Sequence, residues 1–292
     1  MSVLLQLAAL IGAPLTAHAA VPWATEEQAA ELMADMRAFF EGSEVRLPGS
    51  EGNLAMEQKV ARIFADTGLE HGEIRFEVPA FVPGTTVLTV EGQDPIRLLP
   101  MHPTLIRPGN FKQDDFSSKL VYLGKGTQED LLRVTGVPLD GAIALMEFTS
   151  GNRWMRFLRF GVRGFIFIEP ERYFHTDAVG KIYGTEVSVP RFLVARPDGV
   201  LLRDAVRDSM GALEISVNAE PSRWKNGWMR DLWVLIPGRD ETLEKEVVVV
   251  TAPLDSNCVV PELATGAQAG ANLFLLMRML ATFHESPPAR SV

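Results

Sequence analysis

The sequence predicts an α/β protein in which a mixed sheet with helices is interrupted by a β-rich insert. Three observations carry that expectation. Val247, Val248, Val249 and Val250 form an unbroken β-branched run, the pattern of a strand buried on both faces. Two helix-length blocks with apolar residues at helical spacing lie within residues 25–67. From residue 81 to about 221 the pattern changes to short strand-like pieces bounded by Pro and Gly, and it reverts near Trp224.

A chain of 292 residues with 47% apolar residues can fill one large core or two ordinary ones. The formal charge of −9 argues against nucleic acid and against an anionic membrane surface as partner. Residues 1–19 read as a signal peptide: residues 4–15 are apolar, and Ala17, His18 and Ala19 fit a small-x-small cleavage site. Export to a periplasmic or extracellular space is the expectation, with no other stretch of transmembrane length. Cys258 is the sole cysteine, so no internal disulfide forms and stability rests on packing. A nucleophilic reading of Cys258 with His284 as base is weighed against that of a small buried hydrophobe, and the latter is preferred.

Thr25 and Gln28 are spaced for a capping box ahead of a first helix carrying Leu32, Met36, Phe39 and Phe40. A link with Arg46, Pro48, Gly49 and Gly52 breaks it. A second helix spans residues 54–67, with Val60, Ile63 and Phe64 inward. Residues 72–79 alternate as a half-buried strand. Within the insert, strands are expected at 86–90, 96–99, 119–123, 142–146, 165–168, 191–194 and 213–217, with helical pieces at 128–134, 154–160 and 197–208. Trp154, Phe157 and Leu158 face the core. His102, Tyr173 and His175 have no partner at metal-ligand spacing and read as loop or surface side chains. Trp224 and Trp228 suit a binding platform or a cover at the return from the insert. Residues 231–238 read as a strand ending at a Pro-Gly turn.

After the valine run come a loop with Pro253, Asp255 and Ser256, a small-residue segment with Thr265, Gly266 and Gly270, and an apolar helix over residues 271–283. In an open α/β sheet, ligands sit at the carboxyl ends of strands, which places the expected site around Asp255. This stretch resembles the co-catalytic zinc aminopeptidases of peptidase family 28, relatives of glutamate carboxypeptidase and the transferrin receptor. The resemblance implies an apolar strand, a His-x-Asp-Ser loop and a Gly-Ala-x-Asp segment opening a helix. Pro253 stands at the family's histidine, and Gly266 (or Thr265) at its bridging aspartate. Asp255 matches an aspartate that orients the histidine without binding metal. The link around Arg46 resembles the family's entry segment, and residues 231–238 its strand beside the valine run. The insert is similar to a protease-associated domain, on residues 119–124, 139–146, 160–168 and 189–194.

The resemblance thus implies a domain order of signal peptide (1–19), peptidase-like segment (20–80), protease-associated-like insert (81–222) and a second, incomplete peptidase-like segment (223–292). The family's Glu-Glu pair and later ligands find no counterpart in the sequence, which leaves an unpaired sheet edge beside the last helix. With its zinc ligands degenerate at Pro253, Asp255 and Gly266, the chain is expected to hold no zinc or other cofactor, to have no catalytic residue, and to act by binding a protein or peptide. Two other readings stay open. Glu262, Asp255 and His284 are the nearby candidates for substitute ligands, or the remaining family ligands lie outside this chain and complete a functional peptidase.

Overall fold

In a computed structural model the described residues are 25–43, 45–181, 186–264 and 266–292; the signal-peptide expectation, Glu44 and Thr265 lie outside them. The chain divides into two compact units. The described residues of the first are 25–80, 226–257 and 266–292, and the second comprises 81–225 and 258–264. The architecture is mixed α/β. Among the described residues no helix is long and apolar enough to cross a membrane.

In the first unit, helix α1 (Glu26–Phe40) opens with the capping box expected from Thr25 and Gln28: each side chain accepts from the other's backbone N–H, at 3.2 and 2.9 Å. Helix α2 (Glu51–Asp66) begins earlier than the apolar pattern indicates, because the Ser50 hydroxyl accepts from the N–H of Asn53 at 3.2 Å and caps it there. Met56, Val60 and Phe64 of α2 pack with Ile236 and with Leu273, Met277 and Leu280 of the last helix. Strand β1 (Glu70–Val82) pairs with β9 (Arg223–Leu235) in a two-stranded sheet. The buried Glu57 carboxylate accepts from the backbone N–H and the Nε of Arg230 at 3.1 and 2.9 Å, and Arg230 also donates to Glu73 at 2.8 Å.

The second unit is a closed barrel. All seven short strands expected in the insert form: β2 (Thr86–Thr89), β3 (Ile96–Pro100), β4 (Asp115–Tyr122), β5 (Ile143–Glu147), β6 (Gly164–Ile168), β7 (Arg191–Val194) and β8 (Leu213–Ala219). Their order is β2-β3-β7-β6-β5-β4-β8, with β8 pairing back to β2. β4, β5, β6 and β7 run parallel, in register at Leu120↔Ile143, Ile143↔Gly164 and Phe165↔Arg191. Both faces of the central strands are buried. Leu145, Ile166 and Ile168 belong to one core, and Ala144, Met146, Phe165 and Phe167 to a second, which Val259 and Val260 join. Helix α3 (Gln128–Arg133) lies between β4 and β5, and α4 (His175–Val179) and α5 (Arg196–Asp208) flank β7. Residues 153–160 form a 3-10 helix rather than an α-helix, with Trp154 and Phe157 fully buried and the Trp154 indole donating to the Gly180 carbonyl at 2.9 Å.

The valine run departs from expectation. Residues 247–250 form no strand; only Val247 makes an isolated parallel bridge, to Ser291. Val247 is 57% and Val249 79% exposed. Nor does β9 pair with the run, because Ile236 exchanges both backbone hydrogen bonds with Val292, at 2.8 and 3.0 Å. A β-branched run supplies propensity, but a strand buried on both faces needs a layer on each side. Here one side faces the last helix, α6 (Ala267–Glu285), and the other faces solvent.

Two cations are buried in the second unit. Lys181 has no exposed surface. Its ammonium donates to the Ser150 hydroxyl at 3.2 Å and to the Gly151 carbonyl at 2.7 Å, and lies over the Phe148 and Phe167 rings. Arg191 donates to the carbonyls of Lys181 and His102 and lies over the Trp154 ring. Burial pushes the Lys181 ammonium down to about 7, and the Arg191 guanidinium, down to about 10, stays protonated. From pH 7 to about 10.5 the unfolded chain therefore binds a proton at Lys181 that the folded chain does not, so stability rises with pH. We expect the barrel to gain on the order of 2 kcal/mol between pH 7 and pH 9, and Lys181→Met to remove that slope. Urea unfolding followed by tryptophan fluorescence at both pH values checks this; parallel pH profiles for the two proteins would refute it.

Candidate functional site

The residues expected around the strand end lie in the first unit, and a buried arginine organises them. The Arg46 guanidinium donates to the carbonyl of Leu254 from Nε at 3.1 Å and to that of Ser43 from Nη1 at 3.0 Å, and it lies 4.4 Å from the centre of the Phe40 ring. The Arg46 N–H donates to the Ser256 hydroxyl at 2.9 Å, and the Ser256 N–H to the Arg46 carbonyl at 2.8 Å. Arg46 and Ser256 are 1% and 2% exposed. The loop that follows residue 250 is thus stapled to the segment between α1 and α2.

Gly266 precedes α6 in the left-handed region, at φ 57° and ψ 52°, and its carbonyl accepts from the N–H of Gly270 at 2.7 Å. A Cβ at Gly266 would lie 2.5 Å from the Ser256 Cβ and 3.5 Å from Arg46 Nη2. The room a carboxylate would need is therefore taken by a serine and a guanidinium. Pro253 is exposed and its side chain has no donor atom. Asp255 is half-buried and makes no hydrogen bond or ion pair among the described residues. A proline and a glycine offer no side-chain donor to a metal ion, and the Arg46 guanidinium flanks Gly266.

The other candidates do not come together. Glu262 is ion-paired with Arg97 in the second unit, and His284 is exposed in the last turn of α6. Among the described residues no group of three or more His, Cys, Asp and Glu is placed to hold a metal. Cys258 belongs with the barrel unit and His284 with the first unit. His175 is exposed at the start of α4. Tyr173 is 51% exposed, and its hydroxyl donates to Glu169 at 3.0 Å.

His102 departs from the surface reading. It is half-buried between Phe81 and Trp224, with ring centres 5.2 and 5.7 Å away, and burial pushes its imidazole below the usual value. The Trp224 indole donates to the Ile106 carbonyl at 2.6 Å, so Trp224 is packed, whereas Trp228 is 48% exposed beneath the Arg75 guanidinium at 4.3 Å. No local spacing marks Arg46 and Ser256 as partners, since they lie 210 positions apart.

A second feature sits beside this loop. An apolar cavity of about 610 Å³ runs between β9 and residues 247–255, floored by Leu273, Leu276 and Leu280 of α6 and by Val60 and Phe64 of α2. Pro253 and Asp255 line it toward one end, and Val292 also lines it.

The mixed α/β fold is shared with solved peptidase structures. Its solved likenesses include a zinc aminopeptidase from Bacillus subtilis, at 16% identity and a TM-score of 0.59, over 90% of this chain and 59% of that one. An aminopeptidase from an Aneurinibacillus species matches at 16% identity and a TM-score of 0.50, over 88% of this chain and 60% of that one. A peptidase M28 precursor from Shewanella amazonensis matches at 17% identity and a TM-score of 0.55, over 91% and 65%. At these identities the likeness is one of fold, and the chain spans about three fifths of the length of the two aminopeptidases. No protein-family profile and no curated protein sequence matches the chain.

The packing at Gly266 has a measurable consequence. An Asp at the position before a helix ordinarily adds about 1 kcal/mol through capping. Overpacking against Ser256 and a left-handed φ together cost about 1–3 kcal/mol or more, and that cost wins. Gly266→Asp is expected to lower the urea midpoint, and Ser256→Gly in the same chain to recover part of the loss. A midpoint for Gly266→Asp equal to or above that of the parent would show that the room is there after all.

Proposed function

We propose that this chain is an exported, metallopeptidase-like protein that hydrolyses no peptide and acts by binding a protein or peptide. The observation that carries the reading is the Ser256–Arg46 packing against Gly266, with Pro253 at the neighbouring ligand position. A two-metal hydrolase clamps water and substrate between cations and needs a carboxylate base. Here a guanidinium lies 3.5 Å from where a side chain at Gly266 would begin, and its charge repels a metal ion. In this reading the barrel is a protease-associated-like module, residues 1–19 are a signal peptide, and neither zinc nor any other cofactor is used.

The length of the aminopeptidases that share the fold favours a second reading, in which this chain is the amino-terminal part of a functional zinc peptidase with further ligands outside it. Pro253 weighs against it, because no later segment restores an imidazole at that place. One experiment addresses both. After exchange into zinc buffer, the purified chain is expected to retain less than one zinc per molecule and to release no amine from aminoacyl-nitroanilide substrates. Pro253→His with Gly266→Asp is expected to give weak binding of a single metal at most, without turnover. Two tightly held zinc ions with turnover, both lost in Asp255→Ala, would sink the non-catalytic reading.

A further inference from the structure

The 3-10 helix of the barrel unit runs for eight residues, 153–160, where such helices seldom exceed three or four. Its winding sets the exposure. From Arg153 to Arg159 the side chains run exposed, buried, half-buried, and the pattern repeats at every third residue, because three residues complete a 3-10 turn. Trp154 and Phe157 make the buried row; Arg153, Arg156 and Arg159 make the exposed one. An α-helix would turn successive members of that row about 60° apart. Here they are aligned, ~6 Å from one to the next.

Main-chain oxygens, not acids, hold two of the three guanidiniums. Arg153 donates from Nε to the Lys125 carbonyl at 2.8 Å, and Arg156 from Nη1 to the Gly126 carbonyl at 3.0 Å. A carbonyl orients a guanidinium and leaves its charge uncancelled. None of the three arginines forms an ion pair among the described residues. The acid closest in sequence to that carbonyl-bearing turn that could neutralise them, Asp130, is engaged: it accepts from the N–H groups of Lys125 and Thr127, both at 3.0 Å, and pairs with Arg133. Lys125, exposed on the same turn, adds a fourth cation.

We propose that this row is a docking strip for an extended acidic segment of a partner polypeptide that carries carboxylates at alternate positions. In an extended chain alternate side chains lie on one face at intervals of about 6.6 Å. Three carboxylates thus meet three guanidiniums with a mismatch small enough for arginine side chains to absorb. The N–H groups of Arg156 and Arg159 that stay unengaged pair two-pronged with a carboxylate. The formal charge of −9 disfavours a long, densely charged polyanion such as nucleic acid. A short acidic segment feels the row itself, within a screening length of about 8 Å.

The strip rests on the reading above that the chain acts by binding, and it fails separately: zinc content and turnover decide that reading, whereas the pattern of acids in a peptide decides this one. The test uses the full chain and a fluorescein-labelled peptide with glutamate at three alternate positions and threonine between them. A second peptide of the same composition has its three glutamates contiguous. The alternating peptide is expected to bind saturably and at least tenfold more tightly than the contiguous one. The Arg159 side chain makes no hydrogen bond or ion pair among the described residues, so Arg159→Glu is expected to leave the urea midpoint unchanged and to weaken the alternating peptide at least tenfold. Of two alternating peptides with one or the other terminal glutamate replaced by lysine, one is expected to regain binding to Arg159→Glu. Equal binding of the alternating and contiguous peptides, no binding of either, or undiminished binding to Arg159→Glu would overturn the strip. A single-stranded oligonucleotide that displaces the alternating peptide at equal concentration would also overturn it, by assigning the row to polyanions at large.

Discussion

The buried guanidinium of Arg46 is the constraint on which the first unit depends. Removing an arginine from water is costly, and here the cost is offset by carbonyls and by the face of Phe40. Those carbonyls belong to segments far apart in the sequence. Satisfying Arg46 therefore fixes the loop at Leu254 against the turn at Ser43, and with it the start of α6, where Gly266 fits only because it lacks a Cβ. The same arrangement that holds the unit together fills the volume beside Gly266.

The two units differ in how their strands are satisfied. In the barrel every strand has a neighbour on each side, since β8 closes onto β2. In the first unit the sheet is two strands wide, β9 keeps an open edge, and residues 247–252 are extended without a ladder. Unpaired edges are templates for other chains.

How much was legible in the sequence follows from the same contrast. The barrel strands were readable because both their faces are buried, which leaves near-continuous apolar runs such as Phe165, Ile166, Phe167 and Ile168. The valine run looked alike and formed no strand, because composition records propensity and not whether a neighbour is present. At the site, Pro253, Asp255 and Gly266 stood out only through the resemblance carried by one short stretch. Ser256 and Arg46 were not legible as a pair, since nothing local in either stretch announces a partner 210 positions away. His102 was misplaced at the surface for a similar reason: Trp224, which helps to bury it, is more than a hundred positions downstream.

The barrel's outer core is completed from outside its own run of strands. All seven strands have been made once Ala219 is synthesised, yet Val259 and Val260, which pack against the Phe165 and Phe167 layer, follow about forty residues later. The His102 N–H, which donates to the Val259 carbonyl at 2.7 Å, must wait for the same segment. Synthesis at about 5–20 residues per second separates the two events by seconds, at or beyond the milliseconds to seconds in which β-rich domains close. A nascent barrel that closes within that interval does so before Val259 and Val260 can cover its second core.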